Sequence, residues 1–243
     1  MRLRTFLKQQ FRRMGLEVSR FNSPESLAAL RQRLLAKYGI DLVLDVGASD
    51  GGFAQELRIA GYQGRIVSFE PLEAPFRSLQ AKARRDHDWE AIQTALGRRC
   101  SDRTMFVAQD DKCSSLLQPL ERHTMAYPGA AAVETTSVSV HTLDALFPSL
   151  IQSSTVPFLK IDTQGYERHV LEGSEQVLAS IMGIQVELSL VPLYDGNPHY
   201  FELMRYIEEH GFGMMALSPV FSDPATGQTL QIDTLFFRPH SNS

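Results

Sequence analysis

The chain has 243 residues, of which 43% are hydrophobic and 21% charged, and its formal net charge is −4. That is the composition of an ordinary globular protein, long enough for one large domain, and it excludes collagen-like and low-complexity architectures. Two cysteines, Cys100 and Cys113, cannot build a disulfide scaffold and match no zinc pattern, which fits a reducing cytoplasm. The acidic balance argues against a non-specific nucleic-acid binder. No apolar run reaches the roughly 18 residues of a spanning helix.

In chain order, Leu3, Phe6, Leu7, Phe11 and Met14 recur at helical spacing among Arg2, Arg4, Lys8, Arg12 and Arg13. Such a basic amphipathic helix can pack on its own domain, on a second copy of the chain, or on an anionic membrane surface. A second helix is expected from Ser23-Pro24-Glu25, with Leu27, Leu30, Leu34 and Tyr38 on one face and Gly39 as its stop. Residues 1–39 thus read as an N-terminal helical extension and 40–243 as the main domain. From residue 40 strands and helices alternate. Strands are expected at Leu42–Val46, Ile66–Phe69, Ile92–Leu96, Phe158–Asp162 and Ile184–Leu188, with helices between them. Short β pieces at Met105–Ala108 and Ser137–His141 flank a polar, irregular stretch. A helix over His199–His210 precedes a terminal pair, Met214–Leu217 and Thr234–Arg238. Such alternation implies an α/β fold, a mostly parallel sheet covered by helices on both faces.

The segment Leu42-Val-Leu-Asp-Val-Gly-Ala-Ser-Asp-Gly-Gly-Phe53 carries a strand through a glycine turn into a helix, where open α/β sheets bind ligands. Gly47 and Gly51 would let backbone approach a ligand, and the helix start offers free N–H groups to a carboxylate. No lysine follows for a phosphate loop, and Ser49 stands where a dinucleotide fingerprint needs its middle glycine. Asp45 and Asp50 would also repel a pyrophosphate. They suit a cationic ligand, and S-adenosylmethionine carries a sulfonium and an ammonium beside its carboxylate. Glu70 ends the second strand about 20 residues past the glycine loop, placed to accept ribose hydroxyls. The plainer alternative is that Asp45 and Glu70 cap helices or face solvent.

Asp45-Val-Gly-Ala-Ser-Asp-Gly51, Phe69-Glu-Pro71, Ala95-Leu-Gly97, Ser114-Ser-Leu-Leu117, Leu159-Lys-Ile-Asp-Thr-Gln-Gly-Tyr-Glu167, Val170-Leu-Glu-Gly173, Val186-Glu187, Leu193-Tyr-Asp-Gly196 and Gln231-Ile-Asp-Thr-Leu-Phe-Phe237 follow one another as in the FkbM family of methyltransferases. The resemblance covers about residues 40–238. It implies a Rossmann-like class I methyltransferase fold with a seven-stranded sheet, S-adenosylmethionine as donor, and a hydroxyl acceptor on a sugar, glycan or polyketide-type molecule. The cofactor residues it implies are Asp45, Gly47, Ala48, Ser49, Gly51, Glu70, Pro71, Ala95, Leu96, Ser115 and Asp162. The family's common Asp-Val-Glu-Gly-Ala-Glu is here Asp162-Thr-Gln-Gly-Tyr-Glu167, with Gln164 in place of an acid.

Asp162 and Glu187 end adjacent strands and should face one cleft. Either can serve as general base for a hydroxyl, as can His199 at the start of the helix after the Pro/Gly-rich loop. The two carboxylates could equally hold Mg²⁺ against a sugar diol, although Leu188 stands where related sugar O-methyltransferases tend to place another acid. The resemblance also implies that Ser114, Ser115 and the irregular segment 109–135 form a lid or wall over the cofactor. The competing class of function is a non-catalytic binding module that keeps the fold.

Overall fold

In the computed structural model, residues 6, 10, 11, 13–15, 26–151 and 155–239 are described. The expected Ser23-Pro24-Glu25 helix start, and Leu3 and Leu7 of the first amphipathic stripe, lie outside them; Phe6 and Met14 of that stripe are exposed. Helix α1 (Leu27–Lys37) is capped instead by Ser26, whose Oγ accepts from the Ala29 N–H. It ends at Gly39, which takes a left-handed φ of 63° while Ile40 N returns to Leu35 O, the usual glycine stop.

Strand β1 (Leu42–Val46) leads into α2 (Gly52–Ile59), β2 (Arg65–Phe69), α3 (Glu73–Ala83) and β3 (Trp89–Ile92). The chain then leaves the main sheet. Strands β4 (Ala95–Leu96), β5 (Ser101–Ala108) and β6 (Ala132–His141) form a separate sheet in the order β4-β6-β5, with α4 (Glu121–Ala126) between β5 and β6. It returns through α5 (Leu143–Leu150), β7 (Pro157–Ile161), α6 (Glu167–Glu172), β8 (Gly183–Ser189), α7 (Tyr200–Glu209), β9 (Gly213–Ser222) and β10 (Thr229–Phe237). The main sheet has the order β3-β2-β1-β7-β8-β10-β9. Its first five strands in that order are parallel, and β10 is antiparallel to both β8 and β9. This is the seven-stranded Rossmann-like methyltransferase arrangement.

Two residue-level expectations shift. The third strand is Trp89–Ile92, in register with Ile66–Phe69, and not Ile92–Leu96: the chain turns at Gln93-Thr94, and Ala95–Leu96 pair with β6. The two short β pieces are longer than expected, Ser101–Ala108 and Ala132–His141, and pair as the β5–β6 ladder, while residues 109–131 between them hold only short helical segments.

The strands at the centre are apolar throughout because both faces are covered. On one face α1, α2 and α3 bring Leu34, Leu35, Leu57 and Leu79 onto Val43, Ile66, Phe158 and Phe237. On the other, α5, α6, α7 and the small sheet bring Phe147, Leu171, Ile207 and Val140 onto Leu44, Phe69, Leu159 and Val186. Helix α1 is therefore part of this packing. The chain runs outward from β1 to β3 and then returns to β7 on the opposite side of β1. That reversal opens a crevice beyond the carboxyl ends of β1 and β7. Among the described residues no helix is long and apolar enough to cross a membrane.

Candidate active site

A cavity of about 520 Å³ occupies this crevice, within the usual range for small-molecule sites. Its first half is built from the turn after β1. Gly47 has a left-handed φ of 74°, and a Cβ there would lie 1.8 Å from the Asp162 carbonyl oxygen. Only glycine lets the ends of β1 and β7 come this close. Ala48, Ser49, Asp50 and Gly52 line the wall after it. Asp50 is paired with Lys82 at 2.8 Å, which holds its carboxyl below the usual range.

Glu70 closes this half. Its two oxygens accept from Leu72 N (2.8 Å) and Ser49 N (2.9 Å), and each keeps a lone pair for a ligand. Burial pushes its pKa up to about 7, against the pull of those two N–H groups. Ser49 Oγ is buried on the cavity wall without a hydrogen-bond partner. Pro71, Thr94, Ala95 and Leu96 line the far side, and Cys113, Ser114 and Leu116 wall it from the small-sheet region. A paired acceptor for a diol, a free buried hydroxyl and an apolar slot bounded by Ala95 and Leu96 fit the ribose, amino-acid and adenine parts of S-adenosylmethionine.

The second half is charged and hydrogen-bonded. Asp162 follows β7 and Glu187 lies near the end of β8. Gln164, at a left-handed φ of 55°, donates from Nε2 to Asp162 Oδ1 and to Glu187 Oε2, both at 2.9 Å. Gln231 Nε2 also donates to Glu187 Oε2, at 2.6 Å. The hydroxyl of the fully buried Tyr194 lies 2.9 Å from Gln164 Oε1 and from Cys113 O, which fixes the carboxamide with its NH₂ toward the acids. Burial and the nearby Asp162, Glu167 and Asp233 push Glu187 well above the ordinary carboxyl pKa. Asp233 is pushed up to about 6, chiefly by burial. Glu167 is not on the cavity wall; its Oε1 accepts from Thr163 N and Gly165 N and so shapes the loop that carries Gln164.

Two buried cations complete the site, and the sequence reading did not single out either. Lys160, 6% exposed, places Nζ 3.1 Å from Asp45 Oδ1, 3.0 Å from Gly47 O and 3.7 Å from Asp162 Oδ2. Burial opposes its charge, but the two carboxylates outweigh it and push its pKa up. Arg31 of α1, 3% exposed, donates to Gln185 Oε1 (2.9 Å) and Glu56 Oε1 (2.6 Å). The signal for Lys160 was a lone lysine in the apolar run Pro157-Phe-Leu-Lys-Ile161, since a lysine on a fully buried strand needs a partner. His123, on α4, also lines the cavity; burial pulls its pKa down to about 4.

Of the residues expected at the site, Gly47, Ala48, Ser49, Glu70, Pro71, Ala95, Leu96, Asp162 and Glu187 line one cavity. Four do not. Asp45 is fully buried behind the wall, held by Lys160 and by the Ser68 hydroxyl at 3.1 Å. Gly51 faces the core, where a Cβ would meet the Trp89 ring at 2.8 Å. Ser115 turns away and donates to Gln164 O at 2.7 Å, so it positions the loop. His199 caps α7, accepting from Phe201 N at 3.4 Å, and is exposed outside the cavity. Among the described residues no group of three or more His, Cys, Asp or Glu is arranged to hold a metal ion.

The sheet order, the glycine turn and the acid at the end of β2 define a class I, S-adenosylmethionine-dependent methyltransferase. The chain belongs to the FkbM family: the domain model described as "Methyltransferase FkbM domain" matches residues 45–214. No curated protein matches the sequence significantly. Similar solved structures include an rRNA methylase from Streptococcus thermophilus, at 10% identity over 89% of this chain and 98% of that one, TM-score 0.48. A protein from Streptococcus pneumoniae in complex with S-adenosyl-L-methionine matches at 13% identity over 88% and 74% of the two chains, TM-score 0.46. An S-adenosylmethionine-dependent methyltransferase from Aquifex aeolicus matches at 12% identity over 96% and 98%, TM-score 0.42.

Proposed function

We propose that the protein is an O-methyltransferase acting on a hydroxyl of a sugar or glycan, in preference to a polyketide-type acceptor. The observation that carries this reading is the second half of the cavity, where Asp162, Gln164, Gln185, Glu187, Gln231, Asp233 and Arg31 offer hydrogen-bonding ends. These groups pair largely with one another, and a polyhydroxylated acceptor can meet the lone pairs and N–H groups they keep toward the cavity, whereas an apolar one would desolvate them without replacement.

When bound, S-adenosylmethionine supplies a methyl carbon made electrophilic by its sulfonium. Glu70 and Ser49 would hold its ribose and amino-acid parts. The chain's own share of the chemistry is alignment and proton removal. Glu187 Oε2 is taken by two amide donors, so its other oxygen is the one free to accept the hydroxyl proton. Asp162, the more open carboxylate, orients the acceptor. We give His199 no part in this chemistry, and Mg²⁺ none, since Gln164 spans the two acids. Small-molecule or glycan acceptors, and not nucleic acid, suit the acidic chain, and a cytoplasmic setting suits its free cysteines. Residues 1–39 are read as an extension whose α1 roofs the acceptor side through Arg31, while its first segment docks on the domain, a second copy or an anionic membrane.

The test is incubation with methyl-labelled donor and pools of sugars, sugar phosphates and glycolipids, followed by alkaline treatment. Alkali-stable label on a sugar, abolished by Glu187→Gln with product affinity retained, is the expected result. Label on nitrogen, or on a carboxyl as an alkali-labile ester, would overturn it. The second reading, a binding module without turnover, rests on Gln164 in place of the family's acid. Tight S-adenosylhomocysteine binding with no turnover on any pool would favour it.

A further inference from the structure

Behind the wall of the donor cavity lies a second pocket of about 300 Å³. It is lined by Arg98, Arg99, Ser101 and Arg103 from the β4–β5 turn and the start of β5, and by Tyr166 and His169. Arg98 shares Glu172 at 3.5 Å with Arg168, which holds it more closely at 3.0 Å. Arg99 and Arg103 have no carboxylate partner among the described residues. Burial is the main influence on both rings, raising the Tyr166 hydroxyl and lowering the His169 imidazole; Arg103 is near enough to lower both, and Glu172 pushes both up. Three guanidinium groups, a serine hydroxyl and an imidazole around one concavity carry clear positive charge on a chain whose net charge is −4.

Tyr166 is the shared wall. It lines both cavities, stacks on His169 with ring centroids 4.1 Å apart, and packs against Gly97, where a Cβ would meet its ring at 2.9 Å. It lies on the same loop as Asp162 and Gln164, at the position where the FkbM pattern commonly has alanine.

We propose that this pocket is a binding site for the phosphate or diphosphate group of a small molecule. Guanidinium forks match phosphate oxygens in geometry and charge. A concavity of about 300 Å³ has room for a phosphate or diphosphate together with part of the small molecule that carries it. The group would sit across the Tyr166 ring from the donor cavity, and occupancy would brace the loop that carries Asp162 and Gln164.

The experiment is calorimetric titration of the full chain with inorganic diphosphate, inorganic phosphate, a hexose 1-phosphate and a short RNA oligonucleotide, in chloride buffer, with and without S-adenosylhomocysteine. One equivalent of diphosphate is expected to bind. The Arg99→Ala/Arg103→Ala variant should weaken that binding by roughly tenfold or more and leave S-adenosylhomocysteine affinity within about twofold, the latter serving as the check on folding. Sugar phosphate binding that tightens with S-adenosylhomocysteine present would support the site and assign the phosphate to the acceptor. Equal binding of free phosphate with and without it would support the site as one for a free anion. No diphosphate binding, binding unchanged in the double variant, or binding only of a short RNA oligonucleotide would overturn the proposal.

Discussion

Gln164 Nε2 stands 2.9 Å from Glu187 Oε2 and 2.9 Å from Asp162 Oδ1, so one carboxamide ties together two acids that would otherwise repel each other. The FkbM pattern commonly has an acid at this position; here the neutral amide supplies two donors. Gln164→Glu removes both donors and adds a third carboxylate. Like charge raises a carboxyl pKa, so Glu187 should be driven further up. The limb of the kcat profile that rises with pH should move to higher pH, with kcat at pH 7 falling by about tenfold for each unit of that shift. S-adenosylhomocysteine affinity should stay within a few-fold. An unmoved pH profile would show that the carboxamide does not set the state of the pair.

Glu70 and Glu167 are buried carboxyls whose pKa values burial raises to about 7. Each is raised above its unfolded value, so the folded chain binds these protons more tightly. Their contribution to stability is present at low pH and is lost as pH rises through about 7. Between pH 6.5 and pH 8 the two together amount to roughly 1–2 kcal/mol, and the raised carboxyls of Glu187 and Asp233 add in the same direction. The Tm of the ligand-free protein should therefore be several degrees higher at pH 6.5 than at pH 8, roughly 2–8 °C from Glu70 and Glu167 alone. Buried His123 and His169, both lowered by desolvation, work in the opposite direction, chiefly below the unfolded histidine value of about 6.5, where the comparison stops. A Tm that is flat or rising across this window would contradict the raised carboxyls.

Glu70→Ala should weaken S-adenosylhomocysteine binding by about tenfold or more, since it removes the diol acceptor and releases the N–H groups of Ser49 and Leu72 that shape the loop. Glu70→Gln keeps an acceptor oxygen and the shape, so it should fall between wild type and Ala. Calorimetry of the three proteins decides, and equal affinities would remove Glu70 from the ribose site.

The half of the site proposed for the donor was legible because local rules make it so. A buried strand, a glycine turn and an acid after the next strand leave a pattern in consecutive residues, and Gly47, Ser49 and Glu70 lie together as that pattern implies. Gly51 was legible as a glycine but not in its reason, because its neighbour Trp89 comes from another strand. The acceptor half depends on side chains that meet only across the sheet. Gln185, Gln231 and Asp233 are ordinary polar residues on β8 and β10 until antiparallel pairing brings Asp233 opposite Glu187 and Gln231 opposite Ser189. His199 was attractive by its place after the Pro/Gly-rich loop, yet a polar residue just before a helix is as easily its cap.

Lys160 gives the sharpest test of how the two halves are joined. It holds Asp45, which is fully buried, together with the carbonyl of Gly47, and so links β7 to the turn after β1. Lys160→Met keeps the length of the side chain and leaves Asp45 with only the Ser68 hydroxyl. Breaking one side of a buried pair costs about 3–5 kcal/mol. For a chain of this size that is a fall in Tm of roughly 6–20 °C. The double variant Asp45→Asn/Lys160→Met removes the stranded charge, and Asn can still accept from Ser68. It should recover about half or more of the lost Tm while donor binding stays impaired, because the Gly47 turn has lost its tie. If the double variant is no more stable than Lys160→Met alone, the cost lies in packing and not in the uncompensated carboxylate. Thermal melts of the three variants beside wild type, each followed by S-adenosylhomocysteine titration, separate these outcomes.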